Sequence, residues 1–142
     1  MSTASVELTE TNAKTPEPNR VSQRDAANWF EIPSTDFNRA IRFYEQLLGI
    51  VLRREVFGDE MAIFPCWPTG VGGAIVHREW HKPASAGSLI YLNADGVLSD
   101  AVARTEALGG SVQLPVTAVP GGFGHYACIV DSEGNQIGLH SH

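Results

Sequence analysis

The stretch Trp29–Phe30–Glu31–Ile32–Pro33–Ser34–Thr35–Asp36–Phe37, running on to Leu47–Leu48–Gly49, decides the fold. With Asn28 before it, the run to Ile32 reads as an extended strand that Pro33–Ser34 ends. Trp29 and Glu31 then share one face, and Phe30 and Ile32 share the other, which should meet a helix. Asp36 is placed to cap that helix, because its short carboxylate can accept an otherwise orphaned amide of the first turn. Phe37, Ala40, Ile41, Tyr44, Leu47 and Leu48 follow at helical spacing, and Gly49 supplies the left-handed residue that closes a helix. Ile50–Val51–Leu52 begins a further strand, and Met61–Ala62–Ile63–Phe64 and Ala74–Ile75–Val76 supply two more.

The second half repeats this order. Ser88–Leu89–Ile90–Tyr91–Leu92 is extended, and Asp95 stands where Asp36 stood. Val97, Leu98, Ala101, Val102, Thr105 and Leu108 form a helical stripe ended by Gly109–Gly110. Strand candidates follow at Val112–Gln113–Leu114, His125–Val130 and Gln136–Leu139, with Asp131–Ser132–Glu133–Gly134–Asn135 as turn chemistry between the last two. One such unit covers only one face of its sheet, whereas two can close a curved sheet around a shared hollow. The expected fold is therefore α+β: two tandem β-α-β-β-β modules, about 27–78 and 87–142, forming a curved mixed sheet around a cavity with helices on the outer face. Arg78–Gly87 is the connector.

Every Phe, Tyr and Trp lies at or after Trp29, and the residues before it are polar without a period. Residues 1–25 are accordingly expected to be a flexible N-terminal arm, with the domain occupying 26–142. The chain has 142 residues and a net charge of −6, which opposes binding to nucleic acid because that depends on an excess of Lys and Arg. No apolar run approaches the roughly 20 residues that span a bilayer. The polar start Met1–Ser2–Thr3 does not read as a secretory signal. Cys66 and Cys128 lie far apart among apolar neighbours and read as buried thiols, so a reducing, cytoplasmic setting is expected. Gly70–Val71–Gly72–Gly73 lacks the Lys-Ser/Thr of a phosphate loop and opens a strand rather than a helix.

The motifs Ile32–Pro33–Ser34–Thr35–Asp36–Phe37 through Phe43–Tyr44 with Leu48–Gly49, their counterparts Tyr91–Asp95 and Ala107–Gly110, and the ending Asp131–Leu139 resemble the vicinal oxygen chelate superfamily. These are also called glyoxalase/bleomycin resistance/dioxygenase proteins. The resemblance covers nearly everything from Ala27 onward, and implies paired modules, commonly a homodimer, with cavities between modules. It also implies, in members that do chemistry, a divalent metal held by four ligands, one each from the first and fourth strands of both modules. Carried over residue by residue, the first-strand positions are Trp29 and Leu89 and the last-strand position is Gly138. None of these donates to a metal. The remaining position falls within Gly73–His77, where only His77 is a donor. The usual site is expected to be lost and no cofactor is favoured, with a divalent metal on displaced ligands such as Glu31, His77 and His140 as the alternative.

Strand alternation nominates the lining of the hollow: Trp29 and Glu31 from the first strand, Tyr91 and Asn93 from the fifth, and Gln136 and His140 from the last, with Gly138 opening room. His125 joins them beside the loop Pro120–Gly124. Such a lining suits a small organic ligand with a planar or apolar body. Glu31 is the candidate general base, since partial burial raises a carboxylate's proton affinity; its alternative is an ion pair with Arg53, Arg54 or Arg78. His140 and His142 share a strand face. Three functions compete: a metal-free binding module, a metal-dependent lyase, isomerase or dioxygenase with displaced ligands, and a metal-free enzyme using Glu31. Metal content distinguishes the second from the others, and Glu31→Gln separates the third from the first.

Overall fold

The computed structural model describes residues 24–142, so the expected arm over 1–25 lies almost wholly outside the described residues. Two helices and eight strands follow in the order β1 (Trp29–Pro33), α1 (Phe37–Leu48), β2 (Arg53–Phe57), β3 (Asp59–Ile63), β4 (Gly72–Val76), β5 (Tyr91–Asn93), α2 (Leu98–Arg104), β6 (Ser111–Ala118), β7 (His125–Val130) and β8 (Gln136–Ser141). They build two four-stranded mixed sheets, β1-β4-β3-β2 and β5-β8-β7-β6, with the same connectivity. In each the first strand pairs parallel to the fourth after its helical crossover, and the other pairings are antiparallel. The fold is the expected α+β arrangement of two tandem β-α-β-β-β modules, with one four-stranded sheet to each module and no closed barrel.

Local chemistry explains the elements. Asp36 caps α1 by accepting from the Arg39 amide at 3.1 Å, and Gly49 ends it at φ 68°. The strand expected from Ile50 starts instead at Arg53, because the helix end has taken the intervening amides. Gly49 and Ile50 donate to the Glu45 carbonyl, and Leu52 donates to the Glu45 carboxylate at 2.9 Å. Asp95 does not repeat the capping role of Asp36: the cap position of α2 is Val97, which offers no side-chain hydrogen bond, and Asp95 accepts the His142 backbone amide at 2.8 Å. Regular helix also stops at Arg104, short of Leu108. Pro115, which has no amide to donate, lies where the β6 register against β7 shifts.

One buried cluster joins both modules. Ile32, Ile75 and Ala62 from the first sheet, Leu92, Ile129 and Leu139 from the second, and the apolar stripes of α1 and α2 belong to it. Tyr44 sits at its centre, fully buried, with Phe43 and Phe64 edge-on at 5.1 and 5.7 Å. Its hydroxyl donates to Asp131 at 2.5 Å. Asp131 also receives the Glu133 and Asn135 amides and the Asn135 side chain, which in turn donates to the Pro33 carbonyl. Glu133 reaches across to the start of α1, accepting from the amides of Thr35 and Asp36 and from the Arg39 guanidinium. The turn Asp131–Asn135 is thus a polar clasp between modules, with its buried acceptors satisfied.

Candidate functional site

The backbone relates the two modules position by position. Ser34 donates to the Val76 carbonyl just past β1, and Ala94 donates to the His140 carbonyl just past β5. Counting back from these matched bonds makes Trp29 the counterpart of Leu89, Glu31 of Tyr91, and Ala74 of Gly138. The fourth-strand position that the resemblance leaves open within Gly73–His77 is therefore Ala74. His77 instead sits past the strand end with its Nδ1 2.9 Å from the Ser34 carbonyl. An indole, a methyl, an isobutyl group and a hydrogen occupy the four ligand positions, and no oxygen or nitrogen lone pair is available to a divalent ion among them. Gly138 opens no room either, since the Tyr91 ring lies directly over it, with ring carbons 2.3–2.7 Å from where a Cβ would stand. Among the described residues, no group of three or more His, Cys, Asp or Glu side chains is arranged to hold a metal. The residues present do not fit the family's metal, and Glu31, His77 and His140 form no replacement set.

What the second module does present is a cavity of about 640 Å³ on the sheet face away from α2. Tyr91 and Tyr126, with rings 6.1 Å apart and edge-on, form its floor; Val119, Pro120 and Phe123 form one wall. Asn93, His140 and His142 are its polar groups. Strand alternation puts Tyr91, Asn93, Tyr126 and His140 on one face, opposite buried Leu92, Ala127 and Leu139. Phe123 is carried by the loop between β6 and β7, where Gly121, Gly122 and Gly124 all have positive φ. Because a carbonyl only accepts, the 2.7 Å contact between His140 Nε2 and the Phe123 carbonyl makes Nε2 the donor and leaves Nδ1 as an acceptor in the neutral ring. Asn93 Oδ1 accepts the Asp95 amide at 2.8 Å, so its NH2 group remains as a donor. The His140 and His142 rings stand edge-on at 4.9 Å. Burial, with Cys128 beside it, pushes the Tyr91 phenol above its usual range, keeping it neutral.

Of the residues nominated from sequence, the structure brings Tyr91, Asn93 and His140 together here. His125 lies in a separate groove with Gly96, Leu98 and Val116. Gln136 donates to Gln113 and lines a smaller cavity of about 230 Å³ at the connector, which Glu31 also lines. Trp29 stacks over Gly72 in the first sheet and is not part of the second-module cavity. Glu31 has found the ion pair rather than an apolar pocket: Arg78 grips both its oxygens, at 2.5 and 3.1 Å, and the Trp29 indole donates at 3.1 Å. The Arg78 hydrogen bonds outweigh partial burial and hold this carboxyl below the usual range, which weakens it as a base. Sequence reasoning missed Tyr126 and Phe123, while His142, placed on the same strand face as His140, does join it at the cavity. For Tyr126 the signal was present, because alternation from Cys128 places it beside His140 once the register is known. Cys66 is exposed rather than buried, whereas Cys128 is buried. Trp67 closes the β3–β4 turn, its carbonyl accepting the Gly70 amide.

These features belong to a protein family. Residues 26–139 match the model of the Glyoxalase/Bleomycin resistance protein/Dioxygenase superfamily, and the chain is a member of it. Among solved structures it is similar to a glyoxalase/bleomycin resistance protein from Albidiferax ferrireducens T118, at 20% identity over 83% of this chain and 100% of that one, with a TM-score of 0.63. It also resembles the fosfomycin resistance protein FosX from Listeria monocytogenes, at 15% identity, 82% and 89% coverage and a TM-score of 0.59. A glyoxalase I mutant from Zea mays is 22% identical with a TM-score of 0.60, over 80% of this chain and 45% of that one. Among curated proteins, none matches in sequence. No helix of the described residues is long and apolar enough to cross a membrane.

Proposed function

We propose that this protein binds a small, flat organic molecule in the second-module cavity, holding it by stacking and hydrogen bonds without a metal. The observation that carries the reading is the cavity itself: paired tyrosines and Phe123 around a space of about 640 Å³, with the Asn93 amide and two imidazoles at its polar side. Aromatic walls favour a planar ligand through edge and face contacts as well as area buried. A ligand carrying an acceptor beside a donor complements the Asn93 NH2 and the His140 Nδ1. We further propose that the protein works as a homodimer, as the family commonly does. Val56 and Phe57 on edge strand β2 are 69% and 62% exposed, apolar surface that a second copy would cover.

The test is titration with 2-naphthol, followed by ligand fluorescence, before and after dialysis against EDTA. Saturable binding unchanged by EDTA is the expected result, with affinity reduced at least about fivefold in Tyr126→Ala, which removes one wall of the stack. Absence of saturable binding, or equal binding in Tyr126→Ala, overturns the assignment of this cavity. Sedimentation equilibrium tests the dimer, and a monomer at tens of micromolar protein would refute it.

A further inference from the structure

Among the described residues, the lining of the second-module cavity includes no lysine, arginine, aspartate or glutamate. The charged group beside it is the Asp95 carboxylate, which accepts the His142 amide and lies 3.5 Å from the His142 Nδ1. An anion entering at neutral pH would meet neutral imidazoles and a neighbouring carboxylate, with no cation to offset its desolvation. Recognition falls instead to two polar side chains whose orientation the chain itself fixes. Asn93 and His140 are register partners on the parallel strands β5 and β8, and both line the cavity. Neighbouring strands stand about 4.8 Å apart, so the two side chains lie side by side. The Asp95 amide occupies Asn93 Oδ1, so Asn93 offers its NH2; the Phe123 carbonyl occupies His140 Nε2–H, so His140 offers the Nδ1 lone pair. Among the described residues, the buried side-chain polar atom left without a partner is the His81 Nδ1, so the free His140 Nδ1 is open to the cavity.

We propose that the cavity selects a neutral flat heterocycle with a lactam edge, an N–H beside a C=O, and that protonation of His140 turns the same edge toward carboxylates. The inference rests on the second-module cavity being the binding site. The lactam oxygen accepts from the Asn93 NH2, its N–H donates to His140 Nδ1, and the ring lies against Tyr91 and Tyr126. A carboxylate presents two acceptors, and one of them faces the Nδ1 lone pair. When the imidazole gains a proton it does so at Nδ1, the free nitrogen, so Nε2 keeps the Phe123 carbonyl and the wall stays in place. The edge then offers two donors and a positive charge, which suits a carboxylate and opposes a lactam N–H. Few groups bear on that proton. The Tyr126 phenol faces His140 from β7, Tyr91 and Asn93 from β5, and the His142 ring stands edge-on at 4.9 Å. The loop from Val119 to Gly124 carries no ionisable side chain. The His142 amide holds the Asp95 carboxyl below its usual range, so Asp95 stays ionised where an imidazole titrates, between about pH 5 and 8.

The experiment compares flat bicyclic probes of one size: 2-quinolone, its lactone isostere coumarin, and 2-naphthoate. The first and last are titrated by their own fluorescence, and coumarin by displacement of 2-quinolone. Coumarin differs from 2-quinolone by an oxygen in place of the N–H. At about pH 8, 2-quinolone should bind at least about tenfold more tightly than either of the others, because each of them sets an acceptor against the Nδ1 lone pair. From about pH 8 to about pH 5.5, 2-naphthoate, ionised throughout, should gain at least about fivefold in affinity while 2-quinolone weakens. His140→Phe keeps a flat ring without donor or acceptor; it should bring 2-quinolone and coumarin to within about twofold and abolish the pH dependence of 2-naphthoate. That pH dependence should persist in His142→Gln. Equal affinity for 2-quinolone and coumarin, pH-independent binding of 2-naphthoate, or a pH dependence lost with His142→Gln instead of His140→Phe overturns the proposal. The probe comparison and the pH series use the unaltered chain, so they decide the matter even where a variant does not fold. Binding of 2-naphthol without preference for 2-quinolone over coumarin removes this inference alone, whereas binding of none of the probes removes the cavity assignment with it.

Discussion

Removing the Tyr44 hydroxyl tests whether the clasp between modules carries stability. Tyr44 is fully buried, and its ring packs edge-on against Phe43 and Phe64, contacts that Tyr44→Phe preserves. The change therefore isolates one hydrogen bond, that from the hydroxyl to the Asp131 carboxylate, itself only 2% exposed. Asp131 Oδ2 keeps the Asn135 side chain as a donor at 3.0 Å, so the acceptor is weakened rather than orphaned. A bond to a buried charged acceptor contributes about 1.5–3 kcal/mol, and the surviving partner argues for the middle of that range, about 2 kcal/mol. For a domain of this length that loss lowers the melting temperature by roughly 5–8 °C. Urea unfolding followed by circular dichroism measures the free energy directly, with an unchanged slope as the control that only stability moved. Asp131→Asn, alone and combined with Tyr44→Phe, completes a cycle in which the coupling should be about 1 kcal/mol or more. A loss below about 0.5 kcal/mol in Tyr44→Phe, or strictly additive effects, would refute the view that this bond joins the modules.

Other perturbations follow from the same geometry. Burial acts to raise the Glu133 pKa, but the Arg39 pair and the amides of Asp36 and Thr35 prevail, so the folded state holds this carboxyl below its ordinary 4.5. A depressed folded value means that Glu133 contributes its full stability above about pH 4.5 and loses it as the pH falls through the lower folded value. Melting temperatures from pH 7 to 3 should thus fall less steeply in Glu133→Gln than in the wild type, and parallel curves would contradict this. Gly138→Ala puts a Cβ into the Tyr91 ring; 2-naphthol affinity should drop at least about fivefold, checked by the same fluorescence titration, while the far-UV spectrum is retained. Gly73→Ala meets the Phe30 ring at 2.3 Å on the core side, where Phe30 packs against Phe64. It should cost about 1–3 kcal/mol in urea unfolding, with no direct effect on the cavity.

How much of this was legible beforehand depends on the range of the interaction concerned. The helix from Phe37 to Leu48 was readable to its ends, because Asp36 and Gly49 act on amides and dihedrals within a few residues of themselves. The repeat was readable because each module had to pattern its own helix and strands. By contrast, the strand beginning at Arg53 was misplaced by the reach of one side chain, Glu45, and the second helix was overextended because its stripe continues into turns. Nothing near Glu31 in sequence identifies which arginine would claim it. Three stood as alternatives, and Arg78 prevails only because the parallel pairing of β1 with β4 delivers the start of the connector to that face.

The sequence alone determined the class of fold, the absence of donors at Trp29, Leu89 and Gly138, and the aromatic and amide character of the sheet face that carries Tyr91 and Asn93. These are properties of residue type and period, settled by sterics and hydrogen bonding within a strand or a helical turn. Only the tertiary structure decided that Ala74 is the fourth position, that Tyr91 covers Gly138, that Phe123 and Tyr126 complete the cavity, and that Glu31 is bound by Arg78. Each of these depends on register between strands distant in sequence, and register is chosen by the packing of the whole core rather than by any segment within it.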